Sequence, residues 1–76
     1  MNTHHSKAFQ KELLQDQQNE IDAFHIYHRL AERTKNVHNK KILCSIASDE
    51  KNHYQILKGY TKKEITPSRI KIFWFV

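Results

Sequence analysis

Glu50 and His53, within Ser48-Asp49-Glu50-Lys51-Asn52-His53-Tyr54, form a Glu-x-x-His pair. On a helix a three-residue step returns to nearly the same face about 4.5 Å further along the axis, so this carboxylate and imidazole can hold one cation together. Such a ligand set suits iron, manganese or zinc. The pair alone carries little weight. Glu and His three apart occur by chance in many helices, and a solvated pair on an exposed face explains most of them. Its weight comes from a second carboxylate upstream, Glu20, and from the elements that would bring the three together.

Two such elements are legible. From Ser6 to Thr34 the chain has no glycine or proline and is rich in Lys, Glu, Gln, Leu and Ala, all good helix formers. Leu13, Leu14, Gln17, Glu20, Ile21, Phe24, Tyr27, His28, Leu30 and Ala31 recur at three- and four-residue steps, which predicts helix one over about 6–34. A second periodic run, from Val37 through Ile42, Ile46, Ala47, Glu50, His53, Tyr54 and Leu57 to Tyr60, predicts helix two over about 37–60. Asn36 suits its N-cap and Gly59 lies near its expected end. Only a few residues around Lys35 and Asn36 separate the runs, so the helices must be antiparallel neighbours. The fold class is therefore all-α, an antiparallel helical hairpin occupying residues 1–61.

A hairpin turning at Lys35 and Asn36 brings Glu20, Glu50 and His53 to one level, roughly 22–26 Å from the turn at 1.5 Å per residue. All three also fall within the apolar stripes. A lone buried carboxylate costs several kcal/mol or takes up a proton, whereas two beside an imidazole make sense around a cation. The alternative is ordinary pairing: Glu20 with a lysine across the hairpin, Glu50 with Arg or Lys on a neighbour, and His53 capping a core. His25 and His28 form another three-residue pair. They lie about 8–12 Å nearer the turn than Glu20 and are expected on the flank or in solvent.

The remaining composition sets bounds. A 76-residue chain is at most one small domain, at a size where a single core barely offsets the entropy of ordering it, so a staple or partner is expected. One cysteine, Cys44, excludes an intrachain disulfide framework and fits a reducing compartment. No secretory leader is read at the start, and the longest apolar run, Ile72 to Val76, is far below the roughly 20 residues that span a bilayer. The expectation is a soluble, cytoplasmic chain without membrane insertion. The net charge is +5, of which Lys62, Lys63, Arg69 and Lys71 against Glu64 supply +3 in the last fifteen residues. No arginine stripe or aromatic-glycine pattern accompanies them, so no nucleic-acid partner is expected; His4 and His5 receive no role.

Residues 62–76 form a basic then apolar tail. Thr66-Pro67-Ser68 is a break, and Arg69 to Val76 is rich in β-branched and aromatic residues, which favours an extended segment while leaving a buried helical turn open. Phe73 to Val76 left in water would be an association hazard, so this end is expected to pack on the hairpin or a partner.

The segment from Gln17 to Ala31, then Ile42-Leu43 through Ile46-Ala47-Ser48-Asp49-Glu50-Lys51-Asn52-His53-Tyr54, then Tyr60-Thr61, resembles the first half of a rubrerythrin-type ferritin-like domain. The nearest likeness is to the version found in front of vacuolar-iron-transporter-like membrane regions. In that family two such halves, each giving one Glu from its first helix and Glu-x-x-His from its second, surround a di-iron centre inside a four-helix bundle. The resemblance implies Glu20 as a terminal ligand, Glu50 as a bridging carboxylate and His53 as the imidazole ligand. Tyr27, seven residues beyond Glu20, is implied as a near-site tyrosine able to hydrogen-bond a ligating carboxylate; filling the core is the other role open to it.

This sequence departs from the family in lacking the second half, with its own Glu and Glu-x-x-His. Two chains about a twofold axis would recreate four carboxylates and two histidines and would also cover the apolar stripes. The expectation is thus a homodimer or higher homo-oligomer forming a ferritin-like four-helix bundle that holds iron, two per dimer, with manganese or zinc also compatible. Fe(II) oxidation or iron and peroxide handling, as by a ferroxidase or peroxidase-type oxidoreductase, is the implied activity. The alternative is a non-catalytic helical interaction module, a truncated half of such a domain.

Overall fold

The computed structural model describes residues 6–75. It contains α1 (Lys7–Arg33), α2 (Val37–Thr61) and α3 (Arg69–Phe75), with no strand among the described residues. Each long helix starts where its sequence supplies a cap. Ser6 Oγ accepts the Phe9 amide at 3.1 Å and Asn36 Oδ1 accepts the Asn39 amide at 2.9 Å, each satisfying a donor the first turn would leave orphaned. Between the helices lie only Thr34, Lys35 and Asn36, and α1 and α2 pack along each other as an antiparallel hairpin.

The end of helix two and the tail are where the structure adds to the sequence reading. Helix two, expected over about 37–60 with Gly59 near its end, runs from Val37 to Thr61 and closes on Lys62, which takes a left-handed conformation (φ 61°, ψ 24°) and donates its amide to Lys58 O at 2.8 Å. A lysine in that region costs on the order of 1 kcal/mol, and tertiary contacts at Thr61 and Lys63 hold it there. The tail is a helix at Arg69–Phe75, not an extended strand. Ser68 begins it, with Ser68 O accepting from Ile72 N and Ser68 Oγ from Lys71 N. Ile72 is buried, so the tail packs on the hairpin, against α1. His4, His5, Val76 and the side chains of Trp74 and Phe75 lie outside the described residues.

The molecule measures 51 × 23 × 15 Å. A helix with side chains is about 10–12 Å across, so the smallest extent is little more than one helix deep. The apolar core is correspondingly thin: Ile21 and Ala31 from α1, Ala47 and Tyr54 from α2, and Ile72 from α3. Val37, Ile42, Ile56 and Tyr60 stay exposed along α2. A single layer buries one stripe of each helix and shows the rest to water, the condition that a second layer relieves. Among the described residues no helix is long and apolar enough to cross a membrane.

The seam at the open end of the hairpin is polar. Gln17 is fully buried; its Nε2 donates to Lys63 O at 2.7 Å and its Oε1 accepts from Thr61 Oγ1 at 2.6 Å. Gln18 Nε2 donates to Thr66 O, and the Tyr54 hydroxyl both accepts from Ile65 N and donates to Ile65 O. Asp22, also buried, accepts the Ser68 amide at 2.6 Å on Oδ1. These bonds satisfy the irregular backbone of residues 62–68, which has no ladder or helix of its own to do so.

Candidate metal centre

Glu20 on α1 and Glu50 and His53 on α2 offer one ligand atom each, all within 4.8 Å of one another. His53 Nδ1 lies 2.8 Å from Glu20 Oε2 and 3.1 Å from Glu50 Oε1. Ionised carboxylates only accept, so with both acids ionised it is a proton on Nδ1 that bridges them. Ordinary pairing with lysine or arginine is not what the geometry shows. Lys51, the cation nearest in sequence, sits over the Phe24 ring at 5.2 Å instead, a cation–π contact one turn beyond Glu20.

Helix geometry explains the convergence. At 100° per residue, Leu13, Glu20 and Tyr27 step by seven along one line of α1, while Ile42, His53 and Tyr60 fall within about 20° of one another on α2. Both glutamate side chains are 22% exposed and His53 is 54% exposed, so the cluster opens outward on the uncovered apolar face. α3 does not block it. It packs where Asp22, His25 and Arg29 lie, about half a turn around α1 from Glu20.

The electrostatics favour positive charge between the two carboxylates. Burial raises the Glu20 pKa above the ordinary carboxylate value and the neighbouring Glu50 raises it further, with His53 pulling the other way. At His53, desolvation would lower the pKa, but the bonds to Glu50 and Glu20 and their charge outweigh it, so the imidazole is held above its ordinary value. Two carboxylates and one imidazole, an oxygen-rich donor set with one nitrogen, match the preferences of iron, manganese and zinc. The residues present therefore fit such an ion on chemical grounds.

Tyr27 is half-buried two turns along α1 from Glu20, about 10.5 Å by rise, and among the described residues it hydrogen-bonds none of the three. His28 is exposed and faces Glu32 at 3.9 Å, and His25 is half-buried against Phe24 with ring centroids 4.9 Å apart. Neither joins the cluster. The residues that sequence reading undervalued are Gln17, Asp22, Tyr54 and Thr61, whose bonds set how the helices and linker meet. A glutamine at an otherwise apolar stripe position was the available signal for the first of them.

No curated protein and no solved structure matches the chain. The Rubrerythrin family model matches residues 11–69, which takes in nearly all of α1, all of α2 and the linker. This match carries the family and not the narrower likeness to the module in front of vacuolar-iron-transporter-like membrane regions. With the match spanning most of the chain and the Glu20, Glu50 and His53 donors gathered on one face, the chain belongs to the rubrerythrin family.

Proposed function

We propose that this protein is a ferritin-like iron-binding protein whose site is completed by a second copy of the chain. The observation that carries the reading is the meeting of Glu20, Glu50 and His53 from two helices on a face that is open and apolar around them. One hairpin supplies two carboxylates and one imidazole, too few for two ions. Two hairpins face to face about a twofold axis supply twice that set and bury Ile42, Ile56 and Tyr60 in the same step. Iron is the metal that family membership favours, two per dimer, and the donor set also admits manganese or zinc.

In that assembly Glu50, with His53 on the same helix, holds the centre of the site, and Glu20 closes it from α1. Both carboxylates must be free of protons to ligate, and so must the His53 ring nitrogen that binds the metal. Helical side chains lean toward the N-terminus, the direction of Glu20 from Tyr27, so a Tyr27 hydroxyl bond to a ligating carboxylate is its proposed positioning role. Bound iron would supply one-electron chemistry, Fe(II) being oxidised while dioxygen or peroxide is reduced. The apolar residues around the cluster would exclude water from it once paired.

The test is aerobic titration of the metal-free chain with Fe(II), followed by near-ultraviolet absorbance, with mass in solution and metal content measured on the same sample. A dimer holding about one iron per chain, and loss of uptake in Glu50→Ala, are expected. A strictly monomeric chain, or undiminished uptake in that variant, would sink the proposal. A dimer indifferent to metal would instead favour an interaction module built on the exposed stripe of α2.

A further inference from the structure

A cleft of about 400 Å³ lies in the seam between α1 and α3, away from the carboxylate–histidine cluster. Small-molecule sites span about 300–1,000 Å³, so the size is sufficient. Its walls are His25 and Arg29 from α1, Pro67 from the linker, and Arg69, Ile72 and Phe73 from α3. Arg29 and Arg69 thus reach one cleft from separate elements, and neither forms an ion pair with a described residue. The buried acid of this region, Asp22, is hydrogen-bonded on one oxygen, while its Oδ2 is buried without a hydrogen bond. Its Oδ1 accepts from Ser68 N and Gln18 Nε2, and its Oδ2 faces Lys71 Nζ at 3.7 Å.

The chemistry of the lining is therefore two-sided. Among the described residues neither guanidinium has a carboxylate partner, and each matches the geometry of a phosphate or carboxylate oxygen pair. The lining also includes apolar surfaces: Ile72 is buried, Pro67 half-buried and Phe73 71% exposed. His25 adds an imidazole that burial and His28 hold toward its neutral form, able to donate one hydrogen bond.

We infer that the cleft between α1 and α3 binds a small amphipathic anion, its oxyanion head gripped by Arg29 and Arg69 and its flat or branched apolar body lying against Ile72, Phe73 and Pro67. Such a ligand touches both helices at once. Its binding ties α3 to the hairpin, which otherwise holds it through the Asp22 bond to Ser68 and the burial of Ile72.

The metal-free full chain, isotopically labelled, is titrated with phenyl phosphate, inorganic phosphate and benzyl alcohol while backbone amide shifts are followed. Phenyl phosphate is expected to shift Arg29, Arg69, Ile72 and Phe73 and to bind at least about tenfold more tightly than either fragment, because each lacks half of the recognition. Replacing both arginines, Arg29→Gln with Arg69→Gln, weakens it by about tenfold or more with circular dichroism unchanged. Should the double variant lose helicity, Arg69→Gln alone, at an exposed position, gives the same reading. Shifts absent from the cleft at millimolar probe, equal binding of the alcohol or of inorganic phosphate, or undiminished affinity in Arg69→Gln each overturn the assignment.

Discussion

Truncating Gln17 to alanine tests whether the hairpin's register rests on a polar contact. The side chain is 0% exposed and makes two bonds, to Lys63 O at 2.7 Å and from Thr61 Oγ1 at 2.6 Å. Two net hydrogen bonds are worth about 1–3 kcal/mol together, and stranding the buried Thr61 hydroxyl adds on the order of 1–3 kcal/mol. Thr61 keeps one longer contact, from Lys63 N at 3.3 Å, which moderates the second figure. The expected loss is about 2–4 kcal/mol, a large part of the roughly 4–11 kcal/mol that a chain of this length holds. For a domain of this size that lowers Tm by between about 10 and 30 °C. Urea denaturation followed by helical circular dichroism, at fixed protein concentration, measures it. Thr61→Val should cost less alone, and the double variant should show about 1 kcal/mol or more of coupling. A loss in Gln17→Ala below about 0.5 kcal/mol, with no coupling, would refute the role assigned to this contact.

Metal addition should stabilise the folded chain. At a concentration about 100 times Kd the gain is about 2.7 kcal/mol, a rise in Tm of at least about 10 °C, absent in Glu50→Ala and His53→Ala by scanning calorimetry with Mn(II). Without metal, pH acts in the opposite sense to the usual acid unfolding. The raised His53 contributes stability that is complete below its unfolded value of 6.5 and lost as pH rises through its higher folded value. Glu20, also raised, has the same sign at lower pH, its contribution fading from 4.5 upward. Denaturation midpoints of the metal-free chain should therefore fall between about pH 6 and 8, less so in His53→Ala, while Mn(II) affinity rises over that window as protons leave the ligands. Ile42→Glu, at a 46% exposed position in line with His53, should weaken self-association by at least about tenfold in sedimentation experiments while leaving helicity intact. Asp22→Ala should release α3, seen as faster hydrogen exchange at the Ile72 amide that bonds Ser68 O.

The sequence by itself determined the hairpin. Unbroken helical periodicity on either side of Lys35-Asn36, with capping residues at Ser6 and Asn36, admits little else, because helix propensity, caps and stripe spacing are local properties. Register arithmetic also put Glu20 level with Glu50 and His53, and their donor atoms meet in the folded chain. What only the tertiary structure decided lies after Tyr60. Local signals placed the end of α2 near Gly59, at about residue 60, but not the left-handed Lys62 that closes it, where the buried bond between Gln17 and Thr61 outweighs the strain at one residue. The β-branched and aromatic tail became α3 because Asp22, 46 positions away, accepts the Ser68 amide and α1 offers Ile72 a surface on which to bury. Such long-range contacts leave no periodic trace in the chain; they exist only once the two helices stand side by side.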